Sequence, residues 1–516
     1  MSAGRPVVRL VDTSLRDGNQ SLWGATGLTT GMVEAVGPAL ERARFHALDF
    51  TSSTHLSVGV RFHQEDPWER IARMRAVVPT TPLSLITTGM RFMSWDRSPE
   101  SVMRMALAAL ARHGMRRLQI AEPMNDTEAA LAVARMAHEE GIEQVVAAVT
   151  FTESPVHTDD LYRKAAEALA ADPAVDAVYL KDPGGLLTME RTAALVPELL
   201  EAVGDVPLEL HSHCTTGVAP QVYVLAAQLG VPILHTAIGA LANGTSQPSI
   251  TRLAANLDAV GIDVDIDLAA VAEAEELIAA FAATQGLAPG APTDYDLSPH
   301  AHQVPGGMMG TLKRQLAEMR VPELLPAVLE EVRRVRAELG YPIMVTPYSQ
   351  FVGSQAVLNV VGARSGQARW SRLPDEVIRY VLGHFGPPPG RVDPDVERLV
   401  AASPRTTELD VPWPEPTADE LRERARAAAS GPVSDDEAVL RAVLPAEQLA
   451  AVAAAGPAPS WPAAPPTTPV HGLGDVLARV RALPRWRSLD LSIGDTHISL
   501  RRAGDADPTS RSEDPA

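Results

Sequence analysis

The sequence predicts an α/β fold: a (β/α)8 TIM barrel, then an all-helical second domain and a small C-terminal α+β segment. Three observations carry this. Eight apolar runs recur with amphipathic helical segments between them, at a spacing of about 25 to 40 residues. Nearly every run ends on a polar residue, as expected where strand ends converge on one face. After about residue 285 the strand pattern stops and only helical periodicity continues. A doubly wound open sheet is the structural alternative for the first part.

The eight candidate strands are PVVRLVD (6–12), FHALDFT (45–51), LSLITTG (83–89), RLQIAE (117–122), QVVAAVT (144–150), DAVYLKD (176–182), PLELHSH (207–213) and PILHTAI (232–238). Segments such as SPESVMRMALAALARHG (98–114) and DTEAALAVARMAHEEG (126–141) carry Ser or Asp start signals and Gly stops, as helices do. Beyond the barrel, 302–320, 321–340, 346–362, 373–386, 417–429 and 434–456 all read as helices. PAPSWPAAPPTTP is a Pro-rich linker. GLGDVLARVRAL reads as a short helix, and SLDLSIGDTHISLRR (488–502) as a hairpin with a Gly-Asp turn. The expected divisions are 1–285 (barrel), 286–456 (helical domain), 457–470 (linker), 471–503 (helix plus hairpin) and 504–516 (disordered tail).

Composition narrows the function. Lys plus Arg total 45 against 64 Asp plus Glu, a formal charge of −19, which argues against binding nucleic acid or an anionic membrane. No run approaches a membrane span, and the N-terminal MSAGRPVVRL lacks an apolar signal core. Cys214 is the single cysteine, which fits a reducing cytoplasm. It has no partner constellation for a nucleophile and is expected to be a small buried residue.

Three strand ends carry the chemistry. In LVDTSLRDGNQSLWG (10–24), Asp17 is a hard oxygen ligand, Arg16 can hold an anion with its planar fork, and Gln20 adds an amide. The bland reading is a loop aspartate paired with its neighbouring arginine. In LELHSHCTTG, His211 and His213 are two apart, so both imidazoles project from one face of a strand. Imidazoles plus a carboxylate suit Zn, Mn, Co or Fe. In YLKDPGGLLT, Lys181 ends an apolar run. It can be a Schiff-base nucleophile, an anion binder or, once burial makes it neutral, a carbamate; a Lys181–Asp182 surface pair is the alternative. The Pro-Gly-Gly that follows allows close backbone approach to a ligand.

Taken together, these segments resemble the carboxyltransferase domain of biotin-dependent carboxylases: pyruvate carboxylase in its single-chain and two-subunit forms, the oxaloacetate decarboxylase α chain and the transcarboxylase 5S subunit. The matching stretches are DTSLRDGNQSL, RFHQEDPWERI, MND, YLKDPGGLL, HSHCTTG, NGTSQPS, HQVPGGMMGTL and TPYSQFVGSQAVLNV, in that order. The resemblance implies a TIM barrel with a helical funnel domain. It implies a divalent metal (Zn, Mn or Co) held by Asp17, a carboxylated Lys181, His211 and His213, with Gln20 near the substrate carbonyl. It also implies transfer of a carboxyl group between carboxybiotin and a 2-oxo acid such as pyruvate or oxaloacetate.

The sequence departs from that family around the substrate. Thr88 stands where an arginine that binds the carboxylate of pyruvate is expected, and Arg91 follows three residues later. Ala121-Glu122 replaces Phe-Asp, and Leu56 replaces an aspartate near biotin. The threonine that shuttles a proton to biotin meets Gly310, with Thr311 one residue on. Arg91, Thr88 and Glu122 are therefore the expected substrate-side residues, and Arg16, Gln20 and Thr311 the expected catalytic ones. No Met-Lys biotinylation motif or ATP-grasp sequence occurs. Biotin is thus expected on a separate biotin carboxyl carrier protein, loaded by a separate biotin carboxylase subunit, with this chain as a homodimer. The competing expectations are an acyl-CoA lyase or synthase of the wider LRDG/HxH barrel group, and a non-catalytic scaffold for a biotin carrier.

Overall fold

The computed structural model describes residues 5–461, apart from 95 and 430, together with the strands Ser488–Ile493 and Thr496–Arg501. All eight expected strands form: β1 (Val7–Asp12), β2 (Ala47–Ser52), β3 (Leu83–Thr87), β4 (Arg117–Ile120), β5 (Gln144–Thr150), β6 (Ala177–Asp182), β7 (Leu208–Ser212) and β8 (Ile233–Thr236). Each pairs in parallel with the next, and β1 pairs with both β2 and β8, so the sheet is a closed barrel rather than an open one. A two-residue strand, β9 (Asp263–Val264), adds to the start of β1. The strands read as near-continuous apolar runs because helices cover the barrel outside while side chains fill it inside.

Hydrogen-bonding side chains start many of the outer helices. Thr29, Asp66, Asp126, Thr158 and Thr188 each accept a backbone N–H from the first turn that follows. Register brings the chemically active strand ends level. Asp12 is opposite Thr236, Lys181 opposite His211, and Asp182 opposite Ser212.

The helical half packs in two ways. Helices Gly306–Glu318, Leu325–Glu338, Tyr348–Ala363 and Asp375–Val381 share a core that includes Leu316, Val332, Tyr348 and Phe351. Helices Ala418–Ala427 and Asp435–Val443 instead return to the barrel, where Leu421, Ala425 and Val439 join its core beside helix Glu100–Arg112. The stretch 434–456 is two helices, not one. The second, Ala446–Ala455, begins after Pro445, which lacks the N–H needed to continue the first.

Residues 457–461, read from sequence as linker, lie against the barrel. Arg73 donates to the Ala458 carbonyl at 2.5 Å, and the Trp461 ring sits edge-on to Phe281 at 5.0 Å. Met1–Trp461 forms one compact unit and Pro462–Ala516 another. In the latter, β10 (Ser488–Ile493) and β11 (Thr496–Arg501) pair antiparallel as the expected hairpin. The expected helix at 472–483, the Gly-Asp turn and the tail lie outside the described residues. Among the described residues, no helix is long and apolar enough to cross a membrane.

Candidate metal centre

After β1 the chain makes one π-helical turn, Ser14–Gly18, and this wide turn carries both Arg16 and Asp17 into the barrel mouth. Gly18 is needed there: a Cβ would lie 2.8 Å from the Leu241 carbonyl oxygen. Asp17 Oδ2 lies 2.9 Å from His211 Nε2 and 3.2 Å from His213 Nε2, and the two imidazole nitrogens are 3.2 Å apart. These three ligand atoms are all buried and lie within 4.8 Å of one another. Lys181 Nζ joins them at 3.4 Å from His211 Nε2.

The electrostatics suit a cation. Burial opposes the charged form of Asp17, but Arg16 and the two histidines hold its carboxyl well below the usual carboxylate range. Burial, reinforced by Lys181, keeps His211 neutral well below its ordinary value. Burial also pushes the Lys181 ammonium down to about 8, against the pull of Asp17. An ionised Asp17 carboxylate, a neutral His211 imidazole, the His213 ring nitrogen beside them and a readily neutralised Lys181 amine form a donor set that suits a divalent metal. The residues present therefore fit a metal.

Neighbours fix this set in place. Arg16 is buried and donates from Nε to Asp49 Oδ2 at 2.8 Å, while its Nη1 lies 3.1 Å from Asp17 Oδ1. The neighbour pair read from sequence does form, but it uses one oxygen of Asp17 and leaves the other for the imidazoles. Arg16 is thereby a positioning group rather than an open anion fork. Asp182 makes no surface pair with Lys181; it is buried and accepts from Leu186 N, Leu187 N and Ser212 Oγ. The glycines after it serve packing. Gly185 has φ +65°, and a Cβ there would lie 2.3 Å from the His213 carbonyl oxygen, so this loop closes on the ligand strand. Cys214 is buried, and burial pushes its thiol up to about 12, as suits an inert side chain.

The remaining expected residues lie elsewhere on the rim. Gln20 is exposed in helix Asn19–Trp23. Thr311 is exposed in helix Gly306–Glu318, whose start seats on Thr245. Arg91, Thr88 and Glu122 gather beyond β3 and β4. Arg91 Nη1 donates to the Thr88 carbonyl at 2.6 Å, its guanidinium lies over Phe385 at 5.7 Å, and it hydrogen-bonds the Tyr348 hydroxyl. Glu122 accepts from Met124 N at 2.7 Å and Asp126 N at 2.8 Å, and burial pushes its carboxyl up to about 7.

Sequence reasoning missed Gln247. Its Nε2 lies 3.1 Å from Asp17 Oδ2, 3.3 Å from His211 Nε2 and 3.1 Å from His213 Nε2, at the focus of the three ligand atoms. Its place in NGTSQPS was the available signal. It also missed a second polar layer inside the barrel, formed by His235, Glu209 and Arg117. The alternation Glu209, His211, His213 along one strand was the clue there.

A closed barrel with two histidines, an aspartate and a lysine at the C-terminal strand ends is a TIM-barrel fold with a candidate metal site at the end where such barrels do their chemistry. An HMGL-like family model matches residues 7–278 and a conserved carboxylase domain matches 300–463. The chain belongs to the carboxyltransferase family of biotin-dependent carboxylases. A pyruvate carboxylase subunit of Methanocaldococcus jannaschii is 31% identical over 395 residues, 76% of this chain and 68% of that protein. The 2-oxoglutarate carboxylase large subunit of Hydrogenobacter thermophilus is 28% identical over 451 residues, covering 86% and 67%. The carboxyl transferase domain of Rhizobium etli pyruvate carboxylase superimposes with TM-score 0.79 at 23% identity, over 88% of this chain and 78% of that one. The barrel match alone is compatible with a lyase. The carboxylase match on the helical half sets that reading, and the inert scaffold, aside.

Proposed function

We propose that this chain is the carboxyltransferase subunit of a multi-subunit carboxylase, moving a carboxyl group between carboxybiotin on a separate carrier protein and a 2-oxo acid. The observation that carries this is the buried Asp17–His211–His213 cluster with Lys181 beside it. Those four residues would hold a divalent metal, with Lys181 as its carbamate. When bound, such a metal supplies Lewis acidity to the carbonyl of the acceptor.

The chain's own groups do the rest. Arg16, braced by Asp49, keeps the Asp17 carboxylate turned toward the histidines. Gln20 offers its exposed amide to the acceptor's carbonyl, and the Thr311 hydroxyl passes a proton between acceptor and biotin. Thr88, Arg91 and Glu122 set the acceptor. The changed residues at this rim favour a 2-oxo acid other than pyruvate, in keeping with a 2-oxoglutarate carboxylase subunit among the relatives. The M. jannaschii relative is one subunit of its pyruvate carboxylase, which supports separate carrier and biotin carboxylase partners. A homodimer and a cytoplasmic location belong to the same reading, the latter supported by the single buried cysteine. The test is labelled carboxyl transfer from a carboxylated carrier to a panel of 2-oxo acids. Transfer to at least one supports the reading, and transfer to none opposes it.

A further inference from the structure

The two histidines of the cluster are oriented by different partners. His213 Nδ1 lies 2.6 Å from the Thr245 carbonyl oxygen, which can only accept. Nδ1 therefore carries the hydrogen and Nε2 presents its lone pair to the cluster. Among the described residues, no carbonyl plays that role for His211. Its Nδ1 lies 3.2 Å from Nδ1 of His235, itself able to donate or accept.

The ambiguity is resolved one step further in. His235 Nε2 lies 2.8 Å from Glu209 Oε2, and both Glu209 oxygens accept from Arg117 Nη2, at 2.7 and 2.6 Å. Paired with a guanidinium in a dry interior, Glu209 is an ionised acceptor. The hydrogen of neutral His235 must then sit on Nε2, leaving Nδ1 bare. A bare His235 Nδ1 accepts from His211 Nδ1–H, and His211 Nε2 is left unprotonated, facing Asp17. Arg117, Glu209, His235 and His211 are all fully buried, so the chain is shielded from bulk solvent. The Tyr179 ring stacks on His235 at 5.6 Å and fixes its plane.

We propose that His235, locked by Glu209 and Arg117, is a positioning residue that holds His211 in its metal-binding tautomer and so sets the metal affinity of the site. This rests on the metal reading given above. Glu209 is thus the true anchor of a ligand two strand positions away, and replacing its carboxylate by an amide frees His235 to turn over.

The test is Zn2+ affinity by competition with a chelator, for the full chain and its H235L, H235N and E209Q variants. Loss of affinity by about 10–100-fold is expected for H235L, and a smaller loss for E209Q. H235N places an oxygen near the former Nδ1 and is expected to recover most of the affinity. Equal affinity of H235L and wild type would overturn the inference, as would H235N binding as weakly as H235L with both melting normally. Absence of Zn2+ binding by wild type would instead defeat the metal reading itself. If the variants misfold, side-chain NMR of histidine-labelled wild type decides: a hydrogen on His211 Nδ1 supports the inference, and one on Nε2 overturns it.

Discussion

Lys181 Nζ lies 3.4 Å from His211 Nε2 inside a barrel mouth where burial has lowered the ammonium to about 8. An amine this easily neutralised adds CO2 to give a carbamate and a proton. Because the neutral amine reacts, carbamate should rise as pH rises through about 8 at fixed dissolved CO2. Labelled CO2 and carbon NMR read this directly. K181A should lose the signal and most metal affinity, whereas K181E, which keeps a carboxylate, should retain part of that affinity. Wild-type metal binding by K181A would remove the lysine from the site.

Arg16 joins Asp49 to Asp17 in a buried triad. D49A leaves the guanidinium buried with half its compensation. The expected loss is about 3–5 kcal/mol of unfolding free energy, read by denaturant titration. Metal affinity should fall too, as Asp17 loses its brace. An unchanged denaturation midpoint would contradict the role given to Arg16.

Glu122 gives a pH signature. Burial raises its carboxyl from 4.5 to about 7, so the folded chain holds a proton that the unfolded chain has lost between those values. This contribution to stability is full below pH 4.5 and disappears as pH rises through 7. E122Q is permanently neutral and can still accept from Met124 N and Asp126 N. Its stability relative to wild type should therefore increase between pH 5 and 8, by at most about 3 kcal/mol. A pH-independent difference would contradict this assignment.

The substrate-side role proposed for Thr88 can be tested, because a threonine cannot make the two-pronged ion pair an arginine makes with a carboxylate. A missing buried pair of this kind costs on the order of 2–5 kcal/mol. Wild type should turn over pyruvate poorly, and T88R should improve it. Efficient wild-type turnover of pyruvate that survives R91A would contradict the altered-pocket argument.

Residues 458–461 pack on the barrel, so truncation after Trp461 should preserve metal binding and melting temperature. Truncation after Gly456 should lower the melting temperature, since Arg73 loses its Ala458 carbonyl and Phe281 loses its aromatic partner. Loss of metal on truncation after Trp461 would contradict it.

The barrel was legible because parallel strands buried on both faces must be apolar throughout, and runs such as QVVAAVT advertise this. Their ends were less legible: LSLITTG extends two residues past β3, where the chain turns toward Arg91. Asp126 was correctly read as a helix start, whereas Ser98 was not a cap; its hydroxyl accepts from Phe92 N, and the helix begins after Pro99. His211, His213, Asp17 and Lys181 could be found because each lies at or just beyond the end of a strand. Gln247, His235 and Glu209 could not be placed, because their roles depend on which strands meet across the barrel. Gly185 looked like a ligand-facing turn and instead packs on His213.

The most direct measurement is transfer of labelled carboxyl from a carboxylated biotin carrier to a 2-oxo acid by wild type and by H211A, both shown to be folded. The account predicts transfer by wild type and essentially none by H211A, together with loss of bound metal from the variant. Equal transfer by the two proteins would contradict it.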